Sequence, residues 1–187
     1  MQEDQQQQLE ILRSANQQLT QMQMDYWQSF SHPGTWQFWF EVGIIVIPLV
    51  VLFFAIDRSK AFLLGFFGFN YHAWFLYADR IMIEFGLWDY PYQFVPFLPS
   101  FGVDASFVPV LFMLLYQWTL KNNKNVYLYG LLLSAILGFV FGPILMAMDF
   151  FRPFYGINLF HLFVFYYLLF IISMIFTNIF IWLKKNA

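Results

Sequence analysis

The residues of this chain that could do chemistry are the few polar side chains that interrupt long apolar runs. An ionisable group is costly to bury in a membrane, so each one is a candidate for function. His72 and Asp79 are seven residues apart and would share one face of a helix. Imidazole and carboxylate groups together suit a proton relay or a divalent metal. The candidate polar cluster consists of Glu41, Asn70, His72, Asp79, Glu84, Asp104 and His161.

Three interpretations of this cluster are open: a metal site, a path for protons or ions, and structural polar packing between helices. No His-x-x-x-His spacing supports a metal, so we expect neither a metal nor another cofactor. Cysteine is absent, which excludes thiolate metal sites, disulfides and cysteine nucleophiles in this chain. The sequence also contains no phosphate-binding Gly-rich loop, no Gly-x-Ser-x-Gly motif and no His-Glu-x-x-His motif.

The composition around these residues is that of a membrane protein. Of the 187 residues, 60% are hydrophobic and 11% are charged, whereas a soluble domain has about 45–50% and about 25% respectively. A soluble domain of this size could not hide so much apolar surface. The net charge of −2 argues against a nucleic-acid partner, which would favour a basic protein. The composition therefore excludes an ordinary soluble enzyme and a disordered chain, and it predicts an all-α integral membrane protein.

Charged residues divide the hydrophobic part of the chain into five segments that could span a membrane. Crossing a bilayer takes about 20 helical residues, and a helix satisfies its own backbone hydrogen bonds in lipid. Residues 36–187 would form a polytopic helical bundle, and residues 1–35 a tail outside the membrane. The predicted spans cover residues 36–56, 61–78, 103–120, 126–148 and 157–183.

Lys and Arg residues predict the orientation, because short cytoplasmic loops carry an excess of them. Arg80 and Glu84 lie on the predicted outer side of the membrane, and their spacing of four residues predicts an ion pair on a helix. We therefore predict a plasma-membrane protein with its N-terminus outside and its C-terminus in the cytoplasm. The six positive residues on the predicted cytoplasmic side, of nine in total, are Arg58, Lys60, Lys121, Lys124, Lys184 and Lys185.

The tail differs from the rest of the chain, because ten of the thirteen Gln residues lie within residues 1–28. Apolar residues recur there at spacings of three and four, which predicts an amphipathic helix. One interpretation is a helix that lies on its own membrane domain. The other is a short coiled-coil contact for a protein partner or a second copy, through Leu12, Leu19 and Met22. The full apolar stripe is Leu12, Ala15, Leu19, Met22 and Tyr26.

The segment 85–103, between the second and third spans, is too apolar to float in water. Its three prolines prevent a continuous helix. We expect it to lie in the membrane interface or to dip into the protein, with Trp88, Tyr90 and Tyr92 at headgroup depth. It would then be either an interfacial anchor or a lid over a groove for a lipid or isoprenoid. The prolines are Pro91, Pro96 and Pro99.

The fourth span carries small residues at a spacing of four, namely Ser134, Gly138 and Gly142. Such a face allows another helix to approach closely. Pro143 follows directly and is expected to kink the span. The pattern predicts helix packing, either with a neighbouring span of the same chain or with a second copy.

Several elements within residues 84–175 form a loose pattern. They are Trp88-x-Tyr90-Pro91, Pro96, Asp104, Pro109, Met113-Leu114-Leu115-Tyr116-Gln117, Ser134, Pro143 and the aromatic opening of the fifth span. This pattern resembles that of a family of small multi-pass membrane proteins of endospore-forming Gram-positive bacteria. The resemblance implies a bacterial plasma membrane and a link to sporulation but no reaction, because that family is largely without an assigned function. The Gln-rich tail departs from the family's compact pattern.

A weaker similarity is to the polytopic units of carotenoid-type lycopene cyclases, whose paired acids would fall near Asp104, where this chain has one acid.

The sequence leads to three hypotheses for function. The first is a non-enzymatic scaffold or assembly subunit, with the tail and the small-residue face as contact surfaces. The second is a membrane enzyme or carrier for a lipid or isoprenoid, in which His72, Asp79, Glu84 and Asp104 act as acid–base or headgroup-binding residues. The third is an ion or proton conductor through the same polar residues. Membrane lipids surround the protein in each case, and no nucleic-acid partner is expected.

Overall fold

A computed structural model shows the chain as a bundle of helices and describes residues 2–98 and 100–186. Pro99, one of the three prolines of the predicted loop, lies outside the described residues. A short helical turn over Arg58–Lys60 joins the second helix to the third. Two short strands, β1 (Trp88–Asp89) and β2 (Arg152–Pro153), pair antiparallel. The helices are α1 (Gln2–Phe30), α2 (Trp36–Ala55), α3 (Ala61–Glu84), α4 (Val103–Lys121), α5 (Val126–Ala147) and α6 (Leu159–Lys185).

Four of these helices, α2, α4, α5 and α6, are long and apolar enough to cross a membrane. This finding supports the predicted helical membrane bundle. The remaining predicted span, 61–78, lies within α3, which is not among the four. α3 is less apolar than the others because it carries Asn70, His72, Asp79 and Arg80.

Side chains that accept hydrogen bonds from free backbone N–H groups mark where three of the helices begin. Thr35 caps α2, and Asn125 caps α5. Asn158 and His161 form a reciprocal capping box at the start of α6. These caps lie within two residues of the span boundaries predicted from the charges.

Two of the spanning helices contain a wider, π-helical turn, over Val103–Phe107 in α4 and Leu137–Phe141 in α5. Each turn ends two residues before a proline, Pro109 in α4 and Pro143 in α5. A proline inside a helix has no N–H to donate and crowds the preceding turn, so a wider turn accommodates it. The turn in α4 contains Asp104, a member of the candidate polar cluster.

α3 lies at the centre of the bundle, between α4 and α6. The Tyr71 ring stacks on Phe112 of α4 at 4.7 Å between centroids, and its hydroxyl donates to the backbone oxygen of Tyr166 in α6. Because neighbouring helices cover it, α3 can carry polar side chains that a lipid-facing helix could not. Its buried residues recur every three or four positions and include Leu64, Phe67, Tyr71, Phe75 and Asp79.

Small residues of α5 lie directly against α6. A Cβ atom on Gly138 would be 2.7 Å from the backbone nitrogen of Phe163, so a larger residue would push the two helices apart. Gly142 approaches the same helix, and the buried Ser134 hydroxyl donates to the backbone oxygen of Gly130. Of the two alternatives for this small-residue face, the structure therefore has packing against a helix of the same chain.

The bundle has two ends that carry different side chains, because helices α2–α6 alternate in direction. At the end that we call acidic, the Phe40 ring near the start of α2 lies 4.5 Å from the Phe150 ring after α5. At the end that we call basic, the Gln117 amide near the end of α4 donates to the backbone oxygen of Ala55 at the end of α2. The basic end carries Arg58, Lys60, Lys121, Lys124, Lys184 and Lys185.

α1 extends away from the bundle at the acidic end. Residues 4–22 are all exposed, and the side chains of Leu12, Leu19 and Met22 are 65%, 44% and 61% exposed. Near the end of the helix, the Trp27 indole donates to the backbone oxygen of Gln93 at 3.0 Å. Residues 4–22 of α1 therefore do not pack against the rest of the described chain, whereas the end of the helix does.

Candidate functional site

Asp79 lies in the middle of the acidic end and accepts hydrogen bonds from loop side chains. Its side chain is fully buried. The Trp88 indole donates to Oδ1 at 2.9 Å, and the Tyr90 hydroxyl donates to the same oxygen at 2.8 Å. The Ser100 hydroxyl lies 2.6 Å from Oδ2. All three partners belong to the segment 85–102 that joins α3 to α4, so Asp79 fastens this segment to the bundle.

Ser100 joins Asp79 to a second buried carboxyl group, that of Asp104. The Ser100 hydroxyl is hydrogen-bonded to Oδ2 of both residues. A hydroxyl group has one hydrogen to donate, so the second of these contacts needs a hydrogen from a carboxyl group. The two acids therefore hold at least one proton between them. Oδ1 of Asp104 is buried and has no hydrogen-bond partner among the described residues.

Two further residues of the candidate polar cluster reach the same place. Glu41 of α2 is 5% exposed, and a Cβ atom on Gly102 would lie 2.7 Å from its Oε2 atom. Glycine at position 102 therefore allows this carboxyl group to approach the start of α4. His72 of α3 has Nδ1 2.9 Å from the backbone oxygen of Asp104. A carbonyl oxygen only accepts, so Nδ1 is the donor in this contact.

The other predicted members of the cluster lie apart from this site. The Asn70 amide donates to the backbone of its own helix at 2.9 Å. Glu84 is exposed and forms the predicted ion pair with Arg80. His161 is exposed and belongs to the cap of α6. The structure therefore brings together four of the seven predicted residues, which are Glu41, His72, Asp79 and Asp104.

The sequence missed the three residues that donate to the acids. It placed Trp88 and Tyr90 at headgroup depth without giving either an acceptor, and the Trp88 side chain is 2% exposed. A buried indole N–H requires an acceptor. The two acidic residues that precede Trp88 in α3 are Asp79 and Glu84, so the sequence narrows the acceptor to these two, and the structure has Asp79. Burial, and after it the neighbouring Asp79, raise the pKa of Tyr90 well above its ordinary value, so its hydroxyl keeps the hydrogen that it donates. The role of Ser100 has no signal in the sequence.

Beyond the acid cluster, toward the basic end, the centre of the bundle is aromatic. Tyr71, Phe112 and Phe170 are fully buried there, and Phe112 stacks on Phe170 at 5.3 Å. The described residues show no hydrogen-bonded path from the acid cluster to the basic end. They also contain no group of three His, Asp or Glu side chains placed to hold a metal ion. This arrangement can hold a proton and fasten a loop.

A cavity of about 290 Å³ opens on the other side of the loop segment. Tyr90 lines it and also donates to Asp79, so it connects the cavity to the acid cluster. Its two arginines each have an acidic neighbour on their own segment: Arg80 pairs with Glu84, and Arg152 lies 3.2 Å from Asp149. The lining of the cavity includes charged and polar side chains, and α1 contributes Gln23 and Tyr26 to it.

Comparison with known proteins gives this chain no relative. No family model matches it, and neither does any curated protein or solved structure. The proposals below therefore rest on the geometry of the acid cluster, the loop and α1.

Proposed function

We propose that the chain is a non-enzymatic, polytopic membrane protein that acts as a scaffold or assembly subunit and presents α1 to another protein. One observation carries the proposal. Leu12, Leu19 and Met22 of the apolar stripe are exposed in the described chain, while the end of the same helix is held by the loop that Asp79 fastens. A helix with no packing of its own is a contact surface that lacks its partner.

The contacts at the C-terminal end of α1 support a fixed direction for this helix. The Trp27 indole donates to the backbone oxygen of Gln93, and the backbone N–H of Gln93 donates to the Ser31 hydroxyl at 3.3 Å. Gln93 lies between Tyr90 and Ser100, the two loop residues whose hydroxyl groups bind Asp79. At about 1.5 Å per residue, the exposed residues 4–22 of α1 form a segment about 28 Å long that extends away from the contact with Gln93.

The residues beside the stripe suit pairing with another helix. Asn16, Gln18 and Gln23 flank it, so no charge at these positions opposes a second helix. We expect the partner to be an amphipathic helix, either of another protein or of a second copy. The resemblance to proteins of endospore-forming bacteria favours a bacterial plasma membrane and a sporulation-linked assembly.

A pair of photo-crosslinking positions tests this proposal. A photoreactive residue at position 19 lies in the stripe, whereas one at position 17 lies on the opposite face of α1. We expect a defined protein adduct from Leu19 and none from Gln17. The triple variant Leu12→Gln, Leu19→Gln, Met22→Gln should lose native co-purification of the adducted protein. The matched variant Glu10→Gln, Ser14→Gln, Gln17→Ala should retain it. Equal adducts from both positions, or none from either, would reject the scaffold proposal.

The proposal includes five spans, with the N-terminus outside and the C-terminus in the cytoplasm. α3 has 24 residues and at about 1.5 Å per residue is long enough to cross the bilayer, and α4 and α6 shield its polar side chains. Because the chain has no cysteine, single cysteines at Gln5 and Asn122 can be labelled with a membrane-impermeant maleimide. In intact cells, we expect labelling at position 5 only. Labelling at position 122 would reverse the orientation.

The cavity beside Tyr90 favours a second candidate function, a membrane enzyme or carrier for a lipid or isoprenoid. In this case Arg80 and Arg152 would face a headgroup, and Asp104 would supply its buried Oδ1, which has no hydrogen-bond partner among the described residues. Asp104→Asn and His72→Ala should then abolish function, whereas deletion of residues 2–22 should not. The scaffold proposal expects the reverse. The aromatic centre of the bundle argues against the third hypothesis, an ion or proton conductor.

A further inference from the structure

A groove lies between α3 and α6 at the basic end of the bundle, far from the acid cluster. Its volume is about 530 Å³. Its walls are apolar and two lysines stand at its rim, at the end of α6. The residues that matter for its chemistry are Leu63, Phe66, Phe180, Ile181, Lys184 and Lys185.

The walls of this groove suit an acyl chain. The Phe66 and Phe180 rings pack on each other at 4.7 Å between centroids and join the two helices. Phe62, at the edge, is 97% exposed, and Phe180 is 53% exposed. Aromatic and aliphatic surface of this kind, on two membrane helices, is covered by lipid when no protein covers it.

The rim of the groove is positively charged. Lys184 and Lys185 form no ion pair within residues 2–98 and 100–186. Two other cations at this end have partners: Lys60 lies 3.6 Å from a carboxylate oxygen of Asp57, and the Arg58 guanidinium lies over the Phe53 ring. A basic pocket between membrane helices attracts the phosphate of an anionic lipid.

A second groove in the same molecule provides a natural comparison. It lies between α2 and α4, and its volume is about 370 Å³. Trp39, Ile44, Ile47 and Phe107 are among its lining residues, which include no charged side chain. It should accept acyl chains without regard to the headgroup.

We infer that the groove between α3 and α6 binds one anionic phospholipid, with an acyl chain against Phe66 and Phe180 and the phosphate on Lys184 and Lys185. Apolar walls alone would not distinguish lipids, and exposed lysines alone would not retain one lipid. The combination in one groove gives both retention and a choice of headgroup. This inference does not depend on the proposed function of α1.

Native mass spectrometry of the full chain in detergent, titrated with phosphatidylglycerol or with phosphatidylcholine, tests the site. We expect one phosphatidylglycerol to bind in preference to phosphatidylcholine. Each lysine near a phosphate contributes about 5-fold, so Lys184→Gln with Lys185→Gln should weaken phosphatidylglycerol binding about 30-fold. The matched pair Lys121→Gln with Lys124→Gln removes the same charge from the same end and should change binding by less than about 2-fold.

A third variant separates the groove from the lysines. Leu63→Trp narrows the groove and keeps both lysines, and it should also lose the bound phosphatidylglycerol; circular dichroism verifies that each variant is folded. Equal losses in the two lysine pairs would mean general surface charge and would overturn the inference. Equal retention of phosphatidylcholine, displacement by millimolar inorganic phosphate, or binding undiminished in Leu63→Trp would overturn it as well.

Discussion

The acidic residues at the two ends of the bundle differ in burial and in how far along the chain their hydrogen-bond partners lie. At the acidic end, Asp79 is buried, and its partners Trp88, Tyr90 and Ser100 follow it by 9, 11 and 21 residues. At the basic end, the carboxylate of Asp57 is partly exposed and contacts residues two and three positions away. A buried acid must be satisfied by protein groups, whereas an exposed one is satisfied by water. The carboxylate of Asp79 therefore depends on tertiary structure, and that of Asp57 does not.

This difference also separates the two kinds of binding that we propose. The acidic end is a rigid platform, because loop, bundle and α1 are joined by hydrogen bonds between distant residues. The basic end has lysines without ion pairs in the described chain beside an open apolar groove, so it can respond to the surrounding lipid. In these two proposals, the acidic end holds a protein contact in place and the basic end selects a lipid headgroup.

The largest effect should come from removing Asp79. Asp79→Ala leaves the donors of Trp88 and Tyr90 without an acceptor in a buried site and leaves Ser100 with Asp104 alone, so we expect a loss of about 3–5 kcal/mol of unfolding free energy. Chymotrypsin should also cut the freed segment 85–102 faster. Both are measured in detergent, by denaturant titration and by timed proteolysis.

Two matched variants sharpen this prediction. Asp89→Ala removes an exposed acid from the same segment and should change stability little. Asp79→Asn keeps an acceptor for Trp88 and Tyr90 and supplies a hydrogen toward Ser100. Because the acid pair already holds a proton, this variant should be much milder than Asp79→Ala. If Asp79→Asn is as harmful as Asp79→Ala, the two acids do not share a proton.

The next largest effect should come from Ser100→Ala. Without this hydroxyl, neither carboxyl oxygen of Asp104 has a hydrogen-bond partner, so we expect a loss of about 1–3 kcal/mol. Ser134→Ala is the matched control, because Ser134 is equally buried but bonds only to its own helix. The double variant with Asp79→Ala should be less harmful than the sum, because both changes act on one network.

The spans could be predicted from the sequence, whereas the side-chain hydrogen bonds at the acidic end could not. Span length and apolarity are properties of one segment, so four helices follow from the placement of charges. The packing of Gly138 on α6 follows in part from its spacing with Ser134 and Gly142, but the identity of the neighbouring helix does not. Ser100 lies in a segment without helical or strand periodicity, so nothing in the sequence aligns it with both Asp79 and Asp104.

A smaller effect is expected at a long-range polar contact of the basic end, that of Gln117. The Gln117 side chain accepts from the backbone N–H of Asp57 at 2.6 Å and donates to the backbone oxygen of Ala55. Gln117→Ala exposes these groups to water, which replaces the lost partner, so we expect a loss of about 1 kcal/mol. Asn122→Ala, which removes a bond within its own helix, is the control. If Gln117→Ala lost as much unfolding free energy as Asp79→Ala, the two ends would not differ in how strongly they depend on contacts between distant residues.

The smallest effect should come from Asp57→Asn, which removes a charge at the basic end and keeps the capping oxygen for Ser59. Hydrogen bonds from Ser59, and then the nearby Lys60, lower the pKa of Asp57 below its ordinary value of 3.8. A lowered pKa means that the ionised form favours the fold, so its contribution is present above pH 3.8 and disappears as pH falls through the lower, folded value. Thermal unfolding at neutral pH should shift least in this variant, and the shift should vanish in acid and shrink in high salt. A shift as large as that of Ser100→Ala would show that exposed charges at this end also depend on tertiary structure.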